Sequence, residues 1–145
     1  MHTIISFLAL VTLLSPIDTL HVNRQQVYCT AKAVYHEARG ESITGQSAVA
    51  HVVWNRKRSK RYPDTACEVV YQPHQFTNIQ YAQPDYSSKA WKNAVEAAVF
   101  ARLGIVDDPT GEALHYYAHG LVTPHWASAG VVTASIEGHT FVKID

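Results

Sequence analysis

The chain has 145 residues, enough for one compact domain and too few for two of ordinary size. Apolar residues make up 47% and charged residues 17%, a balance that supports a buried core and excludes a disordered chain. Twelve Lys and Arg offset twelve Asp and Glu, so the positive excess usual in nucleic-acid-binding domains is missing and no nucleic acid is expected as a partner. Nine His make the charge pH-sensitive, since each gains a proton as pH falls through roughly 6.5.

The N-terminal run from Thr3 to Leu14 is almost wholly apolar and uncharged, and Pro16 and Asp18 break it. An apolar run of roughly 7–15 residues suits the core of a secretory signal better than a spanning helix of about 20. Only Met1 and His2 precede it, without Lys or Arg, and no small-x-small cleavage site follows. Residues 1–20 are therefore expected to be either a signal peptide or a signal-anchor that ties the protein transiently to a membrane, a buried core helix being the third reading. Residues 21–145 form the folded domain, placed outside the cytoplasm in the periplasm or cell-wall space. In an exported protein an even cysteine count suggests a bridge. Cys29 and Cys67 are expected to form one, tying the first mature helix to a later one, with two free buried thiols as the alternative.

From about Val22 to Ala38 the pattern is helical: Val27, Ala31, Val34 and Tyr35 share one face, and Gly40 is a stop. A second helix is expected from near Thr44 to about Lys57, with Ala48, Val49, Val52 and Val53 on its apolar face. The basic run Arg56 to Arg61 follows. It reads as a solvated helix end, where cations suit the helix dipole, and as a source of attraction to an anionic wall or membrane. Asp64 is the expected N-cap of a short helix carrying Cys67, Val69 and Val70. Gln72 to Asp85 is irregular and long for a loop in a small domain, which marks it as a candidate for function. Ser87 or Ser88 caps a helix to about Leu103, ended by Gly104, and Asp107 to Gly111 is a turn. Residues 113–118, 131–135 and 140–143 read as short strands. The class is α+β, mainly α, with a small C-terminal antiparallel β element.

Glu37 ends the first helix. A carboxyl half-buried beside aromatic side chains has its pKa raised, because burial disfavours the charged form, and it then protonates a glycosidic oxygen near neutral pH. Tyr35 and Phe76 are candidates for that apolar wall. Glycosidases commonly use a second carboxylate, and Glu41 is the local candidate, although Gly40 interrupts the helix that would set the two side by side.

The segment Ala33-Val34-Tyr35-His36-Glu37-Ala38-Arg39-Gly40-Glu41, followed by Gly45-Gln46-Ser47-Ala48-Val49-Ala50-His51-Val52-Val53-Trp54-Asn55-Arg56, resembles the core motif of the SleB/CwlJ cell-wall hydrolase family. The likeness continues through Tyr62-Pro63-Asp64, Cys67-Glu68-Val69-Val70, Gln72 and Gln75-Phe76-Thr77. It resumes at Ala113 to Ala118, at Pro124 with Trp126, and at Gly138-His139-Thr140-Phe141. The resemblance implies a lysozyme-like helical fold and cleavage of peptidoglycan between N-acetylmuramic acid and N-acetylglucosamine. It implies a lytic transglycosylase mechanism with one catalytic Glu, matched here by Glu37, which leaves Glu41 auxiliary. Gln75 and Phe76 match the family's groove segment and are expected to touch substrate. His-Tyr-Tyr-Ala-His at residues 115–119 departs from the spore enzymes, and no separate wall-binding domain is read. An endolysin-like lysis role is therefore expected in preference to spore germination.

Tyr117, His119 and Trp126 are further candidate substrate contacts. On a strand Tyr116 and Tyr117 face opposite sides, so only one of them is expected in a groove. His139 is expected to be structural, bonded to backbone. Two alternatives stand beside the transglycosylase reading. One is a muramidase using Glu37 and Glu41. The other is a metal-dependent peptidoglycan amidase or peptidase built on His115 and His119. In an extended strand those two would stand about 13 Å apart, too far for one ion, so no metal or other cofactor is expected. A non-catalytic wall-binding module is opposed by the intact setting of Glu37. The protein is expected to act as a monomer.

Overall fold

A computed structural model describes residues 23–144 except 74, 77, 78 and 82. The expected signal or anchor segment lies outside the described residues. Among the described residues no helix is long and apolar enough to cross a membrane.

Helix α1, Arg24–Ala38, starts where the Asn23 side chain accepts the Gln26 amide at 3.1 Å, a cap worth about 1 kcal/mol. Val27, Ala31, Val34 and Ala38 are buried along it. It stops at Arg39, and Gly40 takes φ +89°, a left-handed conformation that costs glycine little. The chain therefore turns immediately after Glu37. Helix α2, Ile43–Arg58, begins one residue earlier than its apolar pattern suggests, because Ser42 accepts the Gly45 amide at 3.2 Å. Every residue from Gly45 to Arg56 is buried, so α2 is the central helix of the domain.

Helix α3, Ala66–Val70, is capped by Thr65, whose hydroxyl accepts the Glu68 amide at 3.1 Å. This corrects the expectation of Asp64 as cap, which stands one residue too early for a helix that begins at Ala66. The region that follows is irregular as expected, with a single 3-10 turn at Ile79–Tyr81. Helix α4, Lys89–Leu103, is capped by Ser88 and ended by Gly104 at φ +71°. Helices α1, α2 and α4 pack pairwise. Trp54, 1% exposed, lies at their junction and donates its indole N–H to the Ala98 carbonyl at 3.1 Å. Cys29 and Cys67 are bridged with their Cα atoms 5.1 Å apart, joining α1 to α3 as expected.

Three strands form an antiparallel sheet in the order β1-β3-β2: β1 His115–Ala118, β2 Val131–Ile136 and β3 His139–Lys143. A 3-10 turn, His125–Ala129, lies between β1 and β2. β1 is shorter than expected because α2 takes over the preceding carbonyls. Asn55 Nδ2 donates to the Ala113 carbonyl at 3.1 Å, and Arg56 Nε donates to that of Leu114 at 2.7 Å. The turn before it is held by Asp108, which accepts from Asn55, from the amide and hydroxyl of Thr110, and from the Glu112 amide. A second small core of Ala48, Val52, Ala113 and Phe141 seats the sheet on α2. The result is the mainly helical α+β domain expected from the sequence, with its sheet fixed against the helix that leads away from Glu37.

Candidate active site

A cleft of about 520 Å³ opens between the helices and the sheet. Glu37 reaches it from the last turn of α1, Arg56 from α2, and Gln75 and Phe76 from the irregular segment after α3. Tyr62, His115 to Ala118, Trp126, His139 and Ile144 complete its lining. Five groove candidates from the sequence, namely Glu37, Gln75, Phe76, Tyr117 and Trp126, are thereby brought together.

Glu37 is half-buried. Burial pushes its carboxyl above the ordinary Glu range, and the neighbouring His36 and His139 only temper that rise. Across the cleft, burial pushes the Tyr116 phenol far above its usual value, and the Glu37 charge adds to the effect. Tyr116 is therefore a neutral hydroxyl at any working pH; burial raises the Glu41 carboxyl as well, but of the two only Glu37 lines the cleft.

Several candidates sit elsewhere. Glu41 does not line the cleft. Its Oε2 lies 3.4 Å from His139 Nδ1, and its other oxygen packs against Gly45, where an added Cβ would approach to 2.8 Å. Gly45 is thus needed for the Glu41 carboxylate to lie against the first turn of α2. His119 also stands outside the cleft, with Nδ1 2.9 Å from the Thr140 hydroxyl. That contact ties the residue after β1 to β3. Tyr35, expected as the apolar wall of Glu37, packs instead on Trp91, with ring centres 6.2 Å apart, and beneath Arg39 at 4.7 Å. Residues two apart on a helix do not share a face, so α1 turns Tyr35 away from Glu37. Phe76, 3% exposed, supplies apolar wall.

Tyr116 and Tyr117 both reach the cleft, contrary to the one-sided expectation. Tyr116 packs toward Phe141 and His139, with ring centres 5.6 and 5.2 Å away, while Tyr117 meets Trp126 at 5.9 Å on the other face. β1 is an edge strand, so the cleft wraps around it and takes side chains from both faces. His139 pairs with a carboxylate and not with backbone. Arg56 was grouped with a solvated basic run, yet it is 5% exposed while Arg58, Lys60 and Arg61 are exposed. Its signal was present in the spacing. Val49, Val52, Val53 and Arg56 follow the i, i+3, i+4, i+7 register of one buried face.

Residues 40–142 match the model of a family described as Cell Wall Hydrolase. The chain belongs to the cell wall hydrolase family. It is 34% identical over 123 residues to the spore cortex-lytic enzyme of Oceanobacillus iheyensis, a match covering 83% of this chain and 42% of that protein. It is 37% identical over 117 residues to the spore cortex-lytic enzyme of Bacillus subtilis strain 168, covering 78% of this chain and 36% of the relative. The chain thus spans less than half the length of these curated relatives.

Among solved structures, the catalytic domain of the Bacillus cereus SleB protein superposes with a TM-score of 0.68 at 34% identity, covering 83% of this chain and 91% of that one. The catalytic domain of the germination-specific lytic transglycosylase SleB from Bacillus anthracis gives a TM-score of 0.69 at 34% identity, covering 83% and 96%. This cell wall hydrolase domain therefore shares the fold of catalytic domains. The family match opens at Gly40, just after Glu37, so Glu37 stands out by its place in the cleft and not by that match. Among the described residues no group of three His, Cys, Asp or Glu is placed to hold a metal ion.

Proposed function

We propose that the chain cleaves the glycan strand of peptidoglycan between N-acetylmuramic acid and N-acetylglucosamine, as a lytic transglycosylase with Glu37 as its single catalytic acid. The observation that carries this reading is a half-buried carboxyl, raised in pKa by burial, in a cleft lined also by Phe76, Tyr116, Tyr117, Trp126 and Arg56, while Glu41 is not among the lining residues. The fold shared with a lytic transglycosylase domain supports it.

In the proposed cycle the Glu37 carboxylic acid donates its proton to the glycosidic oxygen as the bond from that oxygen to the anomeric carbon breaks. Glu37, now a carboxylate, takes the proton of the muramic 6-hydroxyl as that oxygen bonds to the anomeric carbon. A 1,6-anhydro sugar forms, the acid is regenerated and no water is consumed. Phe76, Tyr117 and Trp126 offer apolar faces for sugar rings, and Gln75 offers polar atoms at the rim. Closure by an internal hydroxyl needs no second carboxylate, in keeping with the place of Glu41.

Glu41→Gln separates this from the two-carboxylate muramidase reading. Single-acid chemistry predicts that the variant keeps peptidoglycan solubilisation within about tenfold of wild type, whereas loss of a general base costs about 10²–10⁴-fold. Clearing of a peptidoglycan suspension by the purified proteins measures the difference. Failure of the wild-type protein to release soluble fragments would remove the whole reading.

Export and a role in wall lysis are part of the proposal. The apolar run from Thr3 to Leu14 supports export, as does the Cys29–Cys67 bridge, since such bridges persist mainly in oxidising compartments.

A further inference from the structure

Arg56 is a buried cation with no carboxylate partner among the described residues. Its Nε donates to the Leu114 carbonyl at 2.7 Å and its Nη1 to Gln75 Oε1 at 3.1 Å, both neutral acceptors. Aromatic faces cover it, Tyr62 at 5.0 Å and Phe76 at 5.7 Å. Among the described residues no carboxylate pairs with it, and Nη2 takes part in no protein hydrogen bond. A guanidinium carries five N–H donors in a planar fork that matches a carboxylate, so its hydrogen-bonding capacity is only partly used. The group nevertheless lines the cleft. Arg61 donates to the carbonyl of Ile144, another lining residue, at 2.8 Å. The carboxyl that lines the cleft, Glu37, has His36 and His139 as neighbours, and both Glu37 and Arg56 act on the Tyr116 phenol. The cleft thus holds both a carboxyl, Glu37, and a guanidinium, Arg56, to which the described residues give no carboxylate partner.

We infer that Arg56 is a specificity residue that binds a free carboxylate carried by the glycan's lactyl or peptide substituents, so that strands bearing such carboxylates are seated with the scissile bond at Glu37. This rests on the proposed glycan cleavage. Gln75 and the Leu114 carbonyl hold the guanidinium in plane, and the aromatic faces keep it dry, which strengthens a charge-assisted bond to an entering anion. The contact is made with a remote part of the substrate, so it acts on binding before the chemical step.

The test compares soluble peptidoglycan strands whose carboxylates are free with the same strands converted to neutral amides. Wild-type protein should cleave the free-acid strands with a kcat/KM about 10- to 100-fold higher, as expected for a hydrogen-bonded charge pair, and chiefly through KM. In Arg56→Gln that ratio should collapse toward one, while Arg56→Lys, which keeps the charge but not the fork, should retain an intermediate ratio. Equal wild-type rates on the two strands would overturn the inference without recourse to any variant. So would an Arg56→Gln variant that loses activity on both strands alike and keeps the wild-type ratio, the mark of a purely structural arginine. Cleavage of neither strand by wild-type protein would overturn the glycan-cleaving reading itself, and this inference with it.

Discussion

Glu37→Gln is expected to lower peptidoglycan cleavage by about 10²–10⁴-fold, the usual loss on removing a general acid, and to leave the fold intact. The stability of the variant should also move in a stated direction. Burial raises the Glu37 pKa, so the folded chain binds this proton more tightly than the unfolded chain does. The stabilisation linked to that proton is complete below the ordinary Glu pKa and is lost as pH rises through the raised folded value. At neutral pH the wild-type protein therefore buries a carboxylate at a cost, and glutamine removes that cost. Thermal unfolding should show Glu37→Gln at least as stable as wild type at pH 7, with the difference shrinking toward zero as the pH is lowered below the ordinary Glu range. An inactive but destabilised variant would point to a structural Glu37. The same raised pKa sets the rate profile, because a general acid acts only while protonated. Wild-type activity should fall as pH rises through the Glu37 pKa, and should persist to higher pH than an ordinary Glu would allow.

Replacing both Cys29 and Cys67 by Ala should lower folding stability by about 4 kcal/mol in the chain-entropy treatment of a loop of this size. The bridge spans 38 residues of sequence and encloses α2, the central helix of the domain. Without it the unfolded chain gains the freedom to separate α1 from α3. The two elements also carry cleft residues, since Glu37 lies in the last turn of α1 and Gln75 and Phe76 follow α3. The double variant should therefore lose activity on warming before wild type does. Guanidinium unfolding of oxidised, reduced and double-variant protein measures the effect. Reduction and double substitution should shift the midpoint together. A loss under about 1 kcal/mol, the size of an average point mutation, would mean that helix packing alone fixes α1 on α3.

Local chemistry made most of the fold legible in the sequence. Ser88 and Gly104 bracket α4, Gly40 stops α1, and the apolar register of α2 marks a buried helix, each by a rule acting over a few residues. The β1 boundary was not legible, because Asn55 and Arg56 reach across the domain to take the carbonyls of Ala113 and Leu114. Glu37, Gln75, Phe76, Tyr117 and Trp126 were selected from the sequence and share the cleft, although their roles there belong to the proposal. The candidates that do not line the cleft are placed by local geometry. Tyr35 lies near Glu37 in sequence but on another face of its helix. Glu41 follows a glycine turn that aims it at His139. His119 projects past the end of its strand to Thr140. The Arg56 charge suggested solvent, while its spacing with Val49, Val52 and Val53 suggested burial; the spacing was the better guide.

The most direct test of single-acid cleavage is the mass of the muropeptides that the purified wild-type protein releases from peptidoglycan. Transglycosylation by Glu37 predicts 1,6-anhydromuramic ends, each product lighter by one water than its hydrolysed counterpart and resistant to borohydride reduction. Reducing ends at the hydrolytic mass would contradict it and would return the second carboxylate, and Glu41, to the mechanism.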